Sequence, residues 1–373
     1  MQSLPLDDIR VLDLSRVLAG PFCTMTLGDL GARVIKVERP GSGDDTRGWG
    51  PPFDDHGQSA YFLSTNRNKL SVAADFSREQ DRKLVLELIR GADVVIDNFL
   101  PGVLARYGID KGALLAASPT LVWCTISGFG PESSRPGYDF VVQAESGWMS
   151  ITGPADGAPS KAGVALVDVM AGKDAATAIL AALVGRAAGR PVERSLDITL
   201  ARSAAAALVN VAQNNLVTGA DARRWGNAHP NLVPYQLFDA ADRPIVIAVG
   251  TDAQWVAAAK ALELGSLAGD ARLATNAGRL RHRDEIVAAL EGRLRDRPAS
   301  AWIDRLSSAG VPCGLVRTVG EALRDVDASP RTGVPPAAGG TVRYPPPRLD
   351  EHGELIRIHY WSAFDLLPIL AST

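Results

Sequence analysis

Cysteine is scarce in this chain of 373 residues: Cys23, Cys124 and Cys313 are odd in number, stand far apart and form no C-x-x-C. That set builds neither a disulfide framework nor a zinc ribbon, and it suits a reducing, cytoplasmic compartment. A charge excess of one sign is also lacking. Lys plus Arg number 39 against 42 Asp plus Glu, so no diffuse field draws nucleic acid or an anionic membrane. Any phosphate on a ligand must then be met by a few placed arginines. No apolar run reaches the roughly 18 residues of a membrane span. The start, Met1-Gln2-Ser3-Leu4-Pro5-Leu6-Asp7-Asp8, lacks the basic then apolar pattern of an export signal. The five histidines show no H-x-x-x-H or H-x-H spacing, so no metal site is expected. A G-x-S-x-G elbow is missing too, which weighs against serine hydrolysis.

What is present is an ordinary globular composition, 46% hydrophobic and 22% charged, long enough for one large or two smaller domains. Ile9 to Leu14 reads as a strand, Pro21 to Leu30 as a helix and Arg33 to Glu38 as a second strand. Part of a helix over Leu84–Arg90 and strands over Val94–Ile96 and Thr120–Ser127 continue the alternation, which predicts a parallel sheet covered on both faces. Alanine-rich helices follow over Ala171–Ala187 and, after the strand-like Ser195–Ile198, over Leu200–Leu216. Their small residues allow close approach. Residues 201–225 read as a linker helix and 226–324 as a smaller α/β domain, beginning with the loop Arg223–Asn231 and the strand Pro244–Val249. Residues 1–200 form the large domain. The proline-punctuated segment 325–373 returns across it in extended form.

Glu38 ends the second strand where dinucleotide folds carry their ribose-binding acid, but Ser15-Arg16-Val17-Leu18-Ala19-Gly20-Pro21 contains no G-x-G-x-x-G. A phosphorylated ligand other than NAD suits the loop and helix start better. Arg39, Arg47, Lys69 and Arg106 follow strand ends or loops and together can neutralise phosphates. The most unusual carboxylate is Asp168 in Gly163-Val164-Ala165-Leu166-Val167-Asp168-Val169-Met170. An acid between apolar neighbours ahead of a helix is either an N-cap, satisfying free amide donors, or a nucleophile kept ionised by the helix dipole. Tyr138-Asp139 and Glu145 lie after a glycine-rich loop; taken alone, these acids read as structural.

Three ordered blocks resemble the opening of the class III CoA-transferases, the CaiB/BaiF type. They are Val11-Leu12-Asp13-Leu14-Ser15-Arg16-Val17-Leu18-Ala19-Gly20-Pro21, Leu27-Gly28-Asp29-Leu30-Gly31-Ala32 and Val34-Ile35-Lys36-Val37-Glu38-Arg39-Pro40-Gly41-Ser42-Gly43-Asp44. The likeness continues through Asn66-Arg67-Asn68-Lys69, Asp97-Asn98-Phe99-Leu100-Pro101-Gly102, Arg106, Tyr138-Asp139 and Asp168, as far as Pro347.

This resemblance implies an α/β fold with a Rossmann-like large domain, a smaller α/β domain, and two ring-shaped subunits interlocked as a homodimer. It implies that Asp168 is the nucleophile, passing through an aspartyl anhydride and an aspartyl-CoA thioester. Tyr138 and Asp139 would lie near the reacting acyl group. CoA would lie across Val17 and Ala19, with Arg39, Lys69 and Arg106 at its phosphates and Asn98 and Phe99 along its nucleotide or arm. CoA is then substrate and product, with no tightly bound cofactor. Leu18 stands where the formyl-CoA branch has glutamine, and the stretch from Trp225 to Tyr235, with Asn227 and His229, resembles the branch using succinyl-CoA and small dicarboxylic acids. These three would read the substrate. The superfamily's alternative activity, 2-methylacyl-CoA racemisation, uses a His-Asp pair where this chain has Tyr138-Asp139; a phenol of pKa near 10 is a poor base at neutral pH.

Overall fold

Six short strands make the main sheet: β1 (Arg10–Asp13), β2 (Arg33–Glu38), β3 (Lys69–Ala73), β4 (Val94–Asp97), β5 (Val122–Ser127) and β6 (Ser195–Thr199). In the computed structural model, which describes residues 3–368, all five pairings are parallel and the order is β3-β2-β1-β4-β5-β6. This is the strand order of the doubly wound dinucleotide folds. Period-two alternation divides the side chains between two dry faces. Val11, Val34, Val94, Ile96 and Val122 point into one core; Leu12, Ile35, Val37, Val95 and Trp123 point into the other.

Helices cover both faces. Along the chain they include α1 (Ala19–Asp29), α2 (Glu79–Arg90), α3 (Asp139–Glu145), α4 (Leu166–Ala187) and α5 (Val209–Thr218). The first core is closed by α1 and α4, which approach closely: a Cβ on Gly172 of α4 would stand 2.6 Å from the carbonyl oxygen of Ala19. The second is closed by Leu84, Val85 and Leu88 of α2, and by Ile356, Trp361 and Phe364 of the returning segment. Trp361 donates its indole N–H to the Leu88 carbonyl at 3.1 Å. The tail beyond Ile358 therefore plugs the core as far as the structure describes it.

Sequence patterning missed β3, whose Lys69 and Ser71 break an apolar run; both are nonetheless fully buried. The segment read as one linker helix is two helices, Leu200–Ala206 and α5, parted where Val209 takes φ 44°.

Asp13 at the end of β1, Lys36 and Glu38 of β2, and Lys69 at the start of β3 belong to a buried ionic cluster. Lys69 Nζ donates to Asp13 Oδ2 at 3.0 Å, to the Pro21 carbonyl and to Asn66 Oδ1. Lys36 Nζ reaches Asp44 at 2.9 Å and the Ser15 carbonyl at 2.8 Å. All four charged side chains are fully buried. Burial alone would raise the Asp13 carboxyl; Lys69 and Lys36 reverse this and hold it far below the usual range. Glu38 is gripped by Arg47 at 2.7 Å through two nitrogens and by Ser71 Oγ.

Close Cα packing gathers residues up to Trp148, Lys161–Ala220 and those from Val326 onward into this unit. A second unit comprises Met149–Ser160 and Asp221–Asp325. It has an antiparallel sheet of β7 (Tyr235–Asp239), β8 (Pro244–Ala248) and β9 (Cys313–Leu315). Its helices include Asp252–Ala261, Arg283–Leu294 and Ala299–Ser308, packed about Trp255, Trp302 and Leu290.

Replacing Lys69 by Met strips Asp13 of a buried partner, and breaking such a pair costs about 3–5 kcal/mol. Urea unfolding of Lys69→Met should show a loss of that order; a midpoint equal to wild type would contradict the cluster's structural role.

Candidate active site

Two cavities open where the parallel strands end. The larger, about 710 Å³, is lined by Leu14, Arg39, Ala74 and Asn98, the residues just past β1, β2, β3 and β4. The smaller, about 260 Å³, takes Ser127 and Gly128 at the end of β5 and Leu200 just past β6, together with Val17, Leu18, Ala19, Tyr138 and Asp168. Arg16, Asn98, Phe99 and Leu100 line both, so the two share a wall. Ligands of open α/β sheets bind at this carboxyl edge, at the switch point, here between β1 and β4.

The shared wall is a constrained loop. Val17 adopts φ 71°, a strained value for a β-branched residue. Its N–H donates to both oxygens of Asp44 at 3.2 Å, and Asp44 is itself fixed by Lys36. Asn98 clamps Arg16 from the other side, accepting from its N–H at 3.0 Å and donating to its carbonyl at 2.8 Å.

Asp168 is the third residue of α4, not its N-cap. Ala165 holds the cap position and makes no side-chain cap bond. The cap comes from Asp139 at the start of α3, whose Oδ1 accepts the N–H groups of Val167 at 2.8 Å and Asp168 at 3.3 Å, while Oδ2 accepts from Gln143 at 2.6 Å. Asp168 thus keeps its carboxylate free of hydrogen bonds among the described residues. Burial, then the Asp139 carboxylate, pushes its pKa up to about 7. Desolvation and the Asp139 charge thus oppose the ionisation that a helix start would favour. The loop carrying Tyr138 and Asp139 is set by a glycine crossing in which a Cβ on Gly137 would stand 2.2 Å from the Cα of Gly128.

The structure thus brings Val17, Leu18, Ala19, Asn98, Phe99, Tyr138 and Asp168 to the smaller cavity and Arg39 to the larger. Tyr138 is well exposed. Lys69 is a correction: fully buried, with three bonds to protein acceptors, it has no donor left for a phosphate. Arg47 is likewise consumed, by Glu38 and the Pro347 carbonyl. Arg106 is exposed at the end of the short helix Val103–Arg106 and lines neither cavity. Asn227 and His229 belong to the second unit; Asn227 is exposed and His229 Nδ1 accepts from the Asn231 N–H at 3.0 Å. Sequence reading overlooked Arg16 and Arg135 as cavity residues. Arg16 sits inside a quoted motif, and that was its only signal.

Fold and cavities together define an α/β protein with a carboxylate-bearing site on the carboxyl edge of a Rossmann-ordered sheet. The sequence pattern of CoA-transferase family III matches residues 6–352, and the chain belongs to that family of enzymes. It is 40% identical over 371 residues to the succinyl-CoA:glutarate CoA-transferase of Mus musculus, covering 93% of this chain and 84% of that one. It is also 40% identical over 323 residues to the acetyl-CoA:oxalate CoA-transferase of Acetobacter aceti, covering 85% and 82%. The crystal structure of a CAIB/BAIF family protein from Brucella suis superposes with a TM-score of 0.87 at 40% identity, covering 96% of this chain and 99% of that one.

With Asp168 as the attacking group only its ionised form would react, and acyl transfer would then rise with pH through an inflection near 7 in the free enzyme. Asp139→Asn removes the neighbouring charge while keeping an acceptor for the helix cap, and should move that inflection downward. An unmoved inflection in the pH profile of kcat/KM would show that Asp139 does not set it.

Proposed function

We propose that this transferase moves CoA from succinyl-CoA or a similar short acyl-CoA to a small carboxylic acid, with Asp168 as covalent nucleophile. The observation that carries this reading is the Asp168 carboxylate itself: it lines a cavity at the head of α4, and no hydrogen bond among the described residues engages it.

An Asp168 oxygen attacks the thioester carbonyl, the C–S bond breaks, and a mixed anhydride forms with CoA thiolate as leaving group. The thiolate attacks the aspartyl carbonyl, releasing the donor acid and leaving an aspartyl-CoA thioester. The acceptor carboxylate attacks that thioester, giving a second anhydride and thiolate, and the thiolate takes the new acyl group. Asp168 is regenerated as carboxylate. Every bond broken is replaced by another activated acyl bond, so the energy of the thioester is kept provided water is excluded. The raised basicity of a desolvated carboxylate favours attack, and the apolar wall of Leu18, Ile126 and Leu200 favours dryness.

In this reading the nucleotide end of CoA occupies the larger cavity, beside Arg39, and the pantetheine arm crosses the shared wall of Asn98 and Phe99 towards Val17 and Ala19. Arg16 suits the pyrophosphate, since its Nε is buried without a partner among the described residues. Leu18 would shape the acid pocket. CoA comes and goes with the substrates, and no resident cofactor is proposed. Assembly as a homodimer is favoured by α5, which has no buried residue and exposes Val209, Leu216 and Val217 at 69%, 77% and 74%. A cytoplasmic site accords with the free thiols, two of them buried. No helix among the described residues is long and apolar enough to cross a membrane. The racemase reading is not favoured, because the similar proteins carry transferase names.

Mixing the protein with succinyl-CoA and a panel of acids should yield a new acyl-CoA by mass spectrometry. Asp168→Ala should cut that exchange by on the order of 10³-fold or more, with folding and CoA binding retained. Turnover at the wild-type rate in the variant would exclude Asp168 as nucleophile, and α-proton exchange in deuterated water without an acceptor would point to racemisation.

A further inference from the structure

Four charged residues line the smaller cavity: Arg16, Asp45, Arg135 and Asp168. Arg16 is paired with Asp45 at 2.8 Å and lies on the wall shared with the larger cavity. Arg135 is the other cation. Its guanidinium lies over the Phe129 ring, 4.0 Å from the centroid, and a single nitrogen, Nη2, donates to Glu145 Oε1 at 2.6 Å. The remaining guanidinium nitrogens have no protein acceptor among the described residues, so a fork of donors is left for a carboxylate.

The position of Arg135 is built rather than incidental. It lies two residues before Gly137, whose contact with Gly128 pins the loop. Its partner Glu145 ends α3, and Asp139, which begins α3, holds the Asp168 N–H. Arg135 and Asp168 line the same cavity of about 260 Å³, a volume suited to a short aliphatic diacid. Stability does not explain the pair, since an exposed ion pair contributes only about 0–1 kcal/mol. A carboxylate entering a cavity walled by Ile126, Leu18 and Leu200 does require a counter-charge.

Resting on the transferase reading, we propose that Arg135 binds the remote carboxylate of a dicarboxylic substrate, on free acid and acyl-CoA alike, and thereby selects short diacids over monoacids of equal length. The guanidinium touches the end of the substrate that does not react, so it acts on binding and leaves the chemical steps to Asp168.

The test follows exchange of labelled acid into its own CoA thioester for two five-carbon pairs, glutarate with glutaryl-CoA and valerate with valeryl-CoA. Arg135→Ala should raise the KM for glutarate at least about 10-fold, the loss of a charge-assisted bond. It should leave kcat for glutarate and kcat/KM for valerate within about 3-fold, and Arg135→Lys should restore part of the glutarate binding. Glu145→Gln, which breaks the ion pair that positions the guanidinium, should raise the KM for glutarate by less than Arg135→Ala does and leave valerate within about 3-fold. Equal losses on glutarate and valerate, or an unchanged KM for glutarate, would overturn the assignment while the transferase reading stands. A wild-type protein inert with both pairs and with the acid panel would overturn the transferase reading itself. Should Arg135→Ala fail to fold, Arg135→Gln carries the same comparison.

Discussion

Two ammonium groups sealed from water, one inside β2 and one at the start of β3, are the constraint on which the site depends. Lys36 and Lys69 have no exposure, and such charges persist only where geometry supplies both counter-charge and hydrogen bonds. Lys69 draws together Asp13 on β1, the first turn of α1 through Pro21, and Asn66. Lys36 draws in the Ser15 carbonyl and Asp44. Asp44 in turn holds the Val17 N–H and so the strained loop that separates the cavities. The ionic cluster contributes shape more than net stability. It makes the wall of a binding site from a backbone conformation that Val17 would not adopt alone.

The reactive side is built differently, by backbone proximity and a borrowed cap. Gly128 and Gly137 meet where neither tolerates a Cβ, which turns the chain so that Asp139 faces the head of α4. There the Asp139 carboxylate takes two amide donors that Ala165 leaves unanswered. One carboxylate therefore satisfies the helix start, while Asp168 accepts no hydrogen bond among the described residues. The same carboxylate, beside the desolvating cavity, lifts the Asp168 pKa. Anchoring and activation share one cause.

The sheet was legible in the sequence because a parallel sheet buried on both faces needs near-continuous branched apolar runs, and Arg33–Glu38 is such a run. β3 was not, since Lys69 and Ser71 take burial only through Asp13 and Glu38, partners that adjacency does not reveal. The same blindness made Lys69 look like a phosphate ligand: a lone lysine in sequence carries no sign that its donors are already used. Asp168 stood out because an acid among apolar neighbours needs a reason. Local pattern offered the cap as one such reason, and the structure removes it because the true cap lies 29 residues earlier, at Asp139. Position 16 was legible only as part of a motif, since the cavity it lines exists only once β1 and β4 lie side by side.

For the proposed role of Asp168 as nucleophile, burial sets two demands against each other. A carboxylate with a pKa near 7 is only partly ionised at neutral pH, which lowers the fraction ready to attack, yet each ionised molecule is the stronger base. Near the operating pH the product of the two is greatest. A surface aspartate would be fully ionised but well solvated, and the same water that solvates it would hydrolyse an anhydride. Excluding water and raising basicity are thus one requirement for exchange between acyl groups of similar energy. The cavity wall of Leu18, Ile126 and Leu200 around Asp168 serves both.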